Sequence, residues 1–176
     1  MNYVFDLDGV MHKHVDLPIL KEDSIDFGSR KYNIDRDEMP TNIFTLNVEK
    51  AIYYSKKEHN VYIVTSRRTQ NNVIKCVRAI GIDVDTIPDK NIICGQHNKA
   101  SIIVKLKAVE YYDDSPHHIV EIQNIRHLLP EEFKLFLSIP EKNVNIDVPA
   151  DLNLSDSDIK INVHRVLDFQ RNYFLL

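Results

Sequence analysis

Asp6 and Asp8 stand two residues apart, directly after the apolar run Tyr3 to Phe5 and directly before Gly9. Carboxylates at that spacing on an extended backbone point the same way. Such a pair can work as a nucleophile and a general acid–base if the two titrate apart. A second acidic pair, Asp113 and Asp114, ends the run Ala108 to Tyr112, and Thr65, Ser66 and Arg67 follow the run Val61 to Val64. Spacing alone says little, because Asp-x-Asp recurs at Asp35/Asp37, Asp83/Asp85 and Asp156/Asp158. Those copies read as turns or solvated surface. Asp6/Asp8 differs in having a strand before it and a glycine after it.

The elements that must position these groups are visible as alternating patterns. Short, continuously apolar runs suit strands buried on both faces of a parallel sheet. They occur at Tyr3 to Phe5, Val61 to Val64, Asn91 to Cys94, Ala108 to Tyr112 (with Glu110 as an unexplained exception) and Phe133 to Ile139. Between them lie helical spacings. Val48, Ala51 and Ile52 follow Asn47 as an N-cap. Val73, Val77 and Ile80 end at Gly81. Ile102, Ile103 and Leu106 form a short helix, and Ser115–Pro116 opens another through Ile119 and Ile122. Strand–helix alternation predicts an α/β fold, a Rossmann-like parallel sheet of about five strands flanked by helices. In such sheets ligands meet the carboxyl ends of the strands, where Asp6, Asp8, Thr65, Ser66, Arg67, Asp113 and Asp114 all fall.

Residues 11–45 are too long and polar for an ordinary βα loop and read as a small cap over the site. The core is expected over 1–139, a linker over 140–155, and over 156–176 an amphipathic helix packing on the core, opened by a Ser155/Asp158 capping box. The chain has 176 residues, 43% hydrophobic and 27% charged, so it has enough material for a core and is not disordered as a whole. No apolar run reaches bilayer length, and the first residues lack the layout of a signal peptide. Two cysteines, Cys76 and Cys94, are too few for a disulfide scaffold, so a cytoplasmic setting is expected. The net charge of -4 gives no general attraction to nucleic acid or anionic membrane.

FDLDGV at 5–10 resembles the first motif of haloacid dehalogenase-like (HAD) phosphohydrolases. VYIVTSR at 61–67 resembles their second motif and YYDDS at 111–115 their fourth, with Lys99 available for the third. Order and spacing match over residues 2–139. The resemblance implies that Asp6 attacks phosphorus to form an aspartyl-phosphate. Asp8 then protonates the leaving oxygen and later deprotonates water. A phosphate dianion is repelled by these carboxylates, at about 4 kcal/mol per pair of unit charges 4 Å apart at an effective dielectric of 20. Mg²⁺ removes that obstacle and suits oxygen donors. Its implied ligands are Asp6, the backbone carbonyl of Asp8, and Asp114, with Asp113 as the alternative carboxylate or an outer partner. Thr65 and the Ser66 N–H would hold phosphoryl oxygens at a helix N-terminus, and Lys99, or else Lys105 or Lys107, would neutralise charge. Arg67 either reaches substrate or forms a surface salt bridge. Two departures stand out: Val10 replaces the commoner Thr, and Ser115 to His118 lack the usual further acidic residue.

No large second insertion fits between Thr65 and Asp113, so only 11–45 can act as a cap. Small-capped members take nucleotides or large substrates. The Thr-Ser-Arg turn and the Asp-Asp pair are loosely similar to polynucleotide 3′-phosphatase domains and nucleotidases. The expected partner is therefore a phosphorylated small molecule (a nucleotide) or a phosphorylated nucleic-acid end. His12 and His14 form an HxH that also occurs in zinc amidohydrolases, but its position after Gly9 favours contact with substrate from the cap. His117 and His118 read as exposed helix residues, and Tyr53, Tyr54, Tyr111 and Tyr112 as packing. Two rivals remain: a non-catalytic binding module, and a phospho-accepting receiver-type domain. The latter's Asp should end the third strand, where this chain has Gly95.

Overall fold

The structure, a computed structural model, describes residues 1–12, 40 and 42–152. The bulk of the expected cap, including His14, and the expected C-terminal helix lie outside the described residues.

The element order is β1 (Asn2–Phe5), α1 (Thr45–Lys56), β2 (Asn60–Val64), α2 (Gln70–Ala79), β3 (Ile92–Ile93), α3 (Lys99–Lys105), β4 (Ala108–Asp113), α4 (Pro116–Asn124), β5 (Lys134–Ile139) and β6 (Val144–Val148). The six strands form one sheet in the order β3-β2-β1-β4-β5-β6. All neighbours pair parallel except β5 and β6. The α/β expectation therefore holds, with one strand more than expected. Strand order reverses between β1 and β4, which makes their carboxyl ends the crevice where an open α/β sheet takes its ligands.

The added strand corrects the reading of 140–155 as a linker. The chain turns over Pro140–Lys142, passes Asn143 at φ 52, and returns as β6 with Leu137 opposite Ile146. Ile146 and Val148 are buried while Asp147 is exposed, the alternation of an edge strand with one wet face. Asn47 needs a second correction. It is not a cap but a buried residue inside α1, whose Nδ2 donates to the Val10 carbonyl at 2.8 Å and whose Oδ1 accepts from Asn145 at 2.6 Å. It ties the chain after β1 to the far edge of the sheet.

Apolar side chains cover both faces of the sheet. Tyr3, Phe5, Val61, Ile63 and Tyr112 pack with Val48 and Ala51 of α1 and with Val73, Cys76 and Val77 of α2. Val4, Val64 and Tyr111 pack on the other face with Ile103 of α3 and with Ile119, Val120 and Ile122 of α4. Phe5, Tyr112 and Phe136 stack in register across β1, β4 and β5, with centroids 4.4 and 4.6 Å apart. Such offset aromatic pairs contribute about 0.5–1.5 kcal/mol each beyond their buried area. This ladder lies directly beneath the acidic strand ends. Glu110, left unexplained by the apolar pattern, accepts hydrogen bonds from the hydroxyls of Tyr54 and Tyr112.

Candidate active site at the strand ends

Asp6, Asp8, Thr65, Ser66, Lys99, Asp114, Ser115, Pro116 and His118 line one cavity of about 410 Å³. Asp6 and Asp8 follow β1, Thr65 and Ser66 follow β2, Asp114 and Ser115 follow β4, and Lys99 opens α3. The topology thus gathers residues from four separate segments.

Lys99 is the decisive placement. A lysine on a short surface helix is ordinarily solvated, yet Lys99 is 1% exposed. Its ammonium lies 2.9 Å from Asp6 Oδ1 and 3.2 Å from Asp113 Oδ2. Burial works against its charge, but the two carboxylates overcome that and raise its pKa. Asn98 caps the helix that carries it, its side chain accepting from the Ser101 N–H at 3.3 Å. This singles out Lys99 over Lys105 and Lys107.

The acidic residues have distinct surroundings. Asp6 Oδ1 accepts the Leu7 N–H at 2.8 Å as well as the Lys99 bond. Among the described residues nothing bonds its Oδ2. Burial pushes its carboxyl up to about 6, against the pull of Lys99. Asp113 is fully buried. Its Oδ1 accepts the Ser115 N–H at 2.8 Å, and its Oδ2 takes Lys99, the Tyr111 hydroxyl and His118 Nδ1. Burial would raise Asp113, but these donors hold it well below the usual carboxylate range. Asp114 has less support: burial followed by repulsion from Asp6 and Asp113 outweighs the pull of Lys99 and a backbone N–H and pushes it up to about 8.

Oxygens of Asp6, Asp113 and Asp114 lie within 4.8 Å of one another. A hard oxygen set with one buried, charge-repelled carboxylate suits a divalent cation such as Mg²⁺. Asp113 already accepts four hydrogen bonds, three of them on Oδ2. Asp6 and Asp114 carry fewer donors among the described residues, so they are the carboxylates that could hold a metal, with Asp113 as an outer partner. Gly9 makes room for this. It sits at φ 75, and a Cβ there would fall 2.0 Å from Asp114 Oδ2. Gly9→Ala is expected to displace the Asp114 carboxylate, to cost about 1–2 kcal/mol in backbone strain, and to weaken Mg²⁺ binding at least about tenfold. Titration calorimetry with Mg²⁺ beside a urea melt checks both parts. Unchanged affinity would remove Asp114 from the metal set.

Asp8 departs from expectation. The Arg67 guanidinium clamps it through Nε at 2.8 Å and Nη2 at 2.5 Å, and His12 Nε2 lies 2.9 Å from its Oδ1. Burial would raise Asp8, but His12 and Arg67 hold it well below the ordinary range. The two carboxylates do titrate apart, in the order opposite to an ionised Asp6 beside a protonated Asp8. Arg67 is buried against Asp8 and is not a surface salt bridge. His12 is fully buried, with no partner for Nδ1 among the described residues. It touches Asp8 where a substrate contact was expected.

Two further corrections concern the turn after β2, expected to hold phosphate, and α4. Helix α2 starts at Gln70, so Thr65 and Ser66 precede its N-terminus instead of forming it. Their turn is fixed by the loop after β3: Gly95 donates to the Arg67 carbonyl at 2.7 Å and Gln96 to that of Thr65 at 3.1 Å. His117 is exposed as expected and pairs with Glu121. His118 is not: it reaches Asp113, as does the hydroxyl of Tyr111, whose ring packs in the core as expected. The second residue of a histidine pair after Ser-Pro faces inward because the first turn of α4 packs beside β4. The Asp83 copy of Asp-x-Asp is an exposed turn in which its carboxylate accepts the Thr86 N–H. Among the described residues no helix is long and apolar enough to cross a membrane. Comparison with protein-family models, curated proteins and solved structures finds no match to this chain.

Proposed function

We propose that the chain is a Mg²⁺-dependent phosphomonoesterase of the HAD type. The observation that carries this reading is the buried Lys99 ammonium seated between Asp6 and Asp113 at the sheet's switch point, with Asp8 and Asp114 on the same cavity. A buried cation beside a carboxylate whose second oxygen is unengaged suits attack on an electrophile that brings negative charge. Asp6 Oδ2 forms the bond to phosphorus as the bond from phosphorus to the leaving oxygen breaks, giving an aspartyl-phosphate that water then hydrolyses. Lys99 keeps Asp6 Oδ1 fixed and offsets charge on the phosphoryl group. Thr65 and Ser66 present donors from the adjacent strand end. Asp6, Asp114 and the Asp8 carbonyl would hold Mg²⁺, which when bound supplies charge neutralisation.

Asp8 as found is ionised, the state needed to take a proton from water in the second step. Protonating the leaving group first requires that Arg67 loosen its grip. A phosphoryl dianion competes for the same guanidinium, since Arg binds phosphate and carboxylate in the same forked manner. The clamp on Asp8 also favours a second reading, a phospho-accepting module that forms the aspartyl-phosphate and hydrolyses it slowly.

The test is phosphate release with and without Mg²⁺ from an aryl phosphate, mononucleotides, and oligonucleotides bearing 3′- or 5′-phosphates. Catalytic, Mg²⁺-dependent release supports the phosphatase, and the best substrate decides between a nucleotide and a nucleic-acid end. A single burst with stable phosphoprotein favours the second reading, and no phosphoryl transfer to Asp6 from any of them overturns both.

A pH dependence of stability follows from the same carboxylates. A carboxyl raised by folding binds its proton more tightly when folded, so stability falls as pH rises between its unfolded and folded values. With Asp6 raised to about 6 and Asp114 to about 8, the metal-free protein is expected to lose stability from about pH 4 to pH 8. Mg²⁺ should reverse that loss by binding only the folded state. Urea melts at pH 5.5 and pH 8, with and without Mg²⁺, check this. A Mg²⁺ effect no larger at pH 8 would remove these carboxylates from the metal site.

A further inference from the structure

His118 has no part in the chemistry just described, yet it is tied to it. Its Nδ1 lies 3.1 Å from Asp113 Oδ2, the oxygen that also takes Lys99 and Tyr111. The ring is half-buried and lines the acidic cavity. It also lines a neighbouring cavity between α3 and α4, with His97, Asn98 and His117. Oδ2 already accepts from Lys99 and the Tyr111 hydroxyl, so the hydrogen of this third contact lies on Nδ1, which donates. Three donors on one oxygen fix the plane of the carboxylate, and that plane sets where the Lys99 ammonium sits relative to Asp6.

We propose that His118 is a positioning residue: by donating to Asp113 it holds that carboxylate in the orientation that aims Lys99 at Asp6. Tyr111 shares β4 with Asp113, and the Ser115 N–H holds only Oδ1, so neither ties Oδ2 to a second element. His118 approaches from α4 and braces the carboxylate against the helix. Without it, Asp113 can pivot about the Oδ1 held by the Ser115 N–H, and Lys99 follows Oδ2 or moves toward Asp114. The kinetic part of this inference rests on the phosphatase reading, whereas the structural part stands by itself.

Two substitutions separate bracing from simple packing. His118→Asn places an amide N–H close to where Nδ1–H stands and keeps the donor, while His118→Ala removes it. The first readout is the rate at which acetic anhydride labels Lys99, followed by peptide mass spectrometry. Lys99 held between two carboxylates is protonated and slow to react. His118→Ala should raise its labelling at least about fivefold, and His118→Asn should leave it within about twofold of the parent chain. The second readout is phosphate release from the aryl phosphate, where His118→Ala should lower kcat about tenfold with KM little changed, and His118→Asn should recover most of it. Equal labelling of Lys99 in all three proteins overturns the proposal whatever the activity, and so does a loss in KM alone. If labelling follows the expected pattern while no protein releases phosphate from any substrate of the panel, the bracing role stands and the phosphatase reading fails.

Discussion

Asp6→Asn is expected to abolish phosphate release, by about 10³-fold or more, while leaving the protein as stable as before or more so. Loss of a covalent nucleophile removes a whole reaction path, and residual turnover then comes only from binding and charge stabilisation. The stability half of the result makes the test sharp. Asn has the size of Asp, and its Oδ1 can still accept the Leu7 N–H and the Lys99 ammonium. It carries no charge, and the charge at this position is what folding disfavours, since burial pushes the Asp6 carboxyl up to about 6, while Lys99 keeps Asp113 as its counter-charge and is not stranded. At pH 8 without metal the substitution removes that penalty. At pH 5 the parent carboxyl is largely protonated, and the difference shrinks. Phosphate assays beside urea melts at both pH values check the two halves. Retention of a tenth of the activity would rule out Asp6 as the nucleophile. A large stability loss at pH 8 would mark it as a structural partner of Lys99 instead.

How far the sequence led, and where it stopped, has physical reasons. The central strands were legible because each is buried on both faces and so reads as an unbroken apolar run; Val4, Val64 and Tyr111 face one side while Phe5, Ile63 and Tyr112 face the other. The acidic strand ends followed from those runs. Strand β6 was hidden for the opposite reason. It lies at an edge with one wet face, and its alternation over Val144, Ile146 and Val148 is short and flanked by Pro140 and Pro149. The signal that could have found it was that period of two after the turn-forming Asn143. Side-chain pairing was the least legible layer. Nothing in the order of residues says that Arg67 grips Asp8 across 59 positions, or that the second histidine of the 117/118 pair meets Asp113. These contacts depend on how helices and loops settle on the sheet.

Lys99→Met carries the largest expected effect on stability, about 3–5 kcal/mol at pH 8 in the absence of divalent cation. Met keeps the unbranched stem and much of the volume, so little packing is lost. What changes is charge. Lys99 is the ammonium between Asp6 and Asp113, both buried. Removing one partner of a buried ion pair strands the other, which costs far more than the pair itself contributes. Here two carboxylates are stranded together, with Asp114 beside them. Asp113 retains Tyr111, His118 and the Ser115 N–H, so the burden falls on Asp6, whose pKa must rise further once the pull of Lys99 is gone. The direction with pH follows from that. A carboxyl raised by folding destabilises only when ionised, so Lys99→Met should approach the parent protein near pH 5 and fall away from it steadily toward pH 8. Mg²⁺ should recover part of the difference at pH 8, because a dication can neutralise the same oxygens from the cavity side. Urea denaturation of both proteins across that range, with and without Mg²⁺, gives the whole surface. Equal stability at pH 8 without metal would mean that the ammonium does not offset the buried carboxylates. The charge argument behind the candidate site would then have to be rebuilt around Arg67.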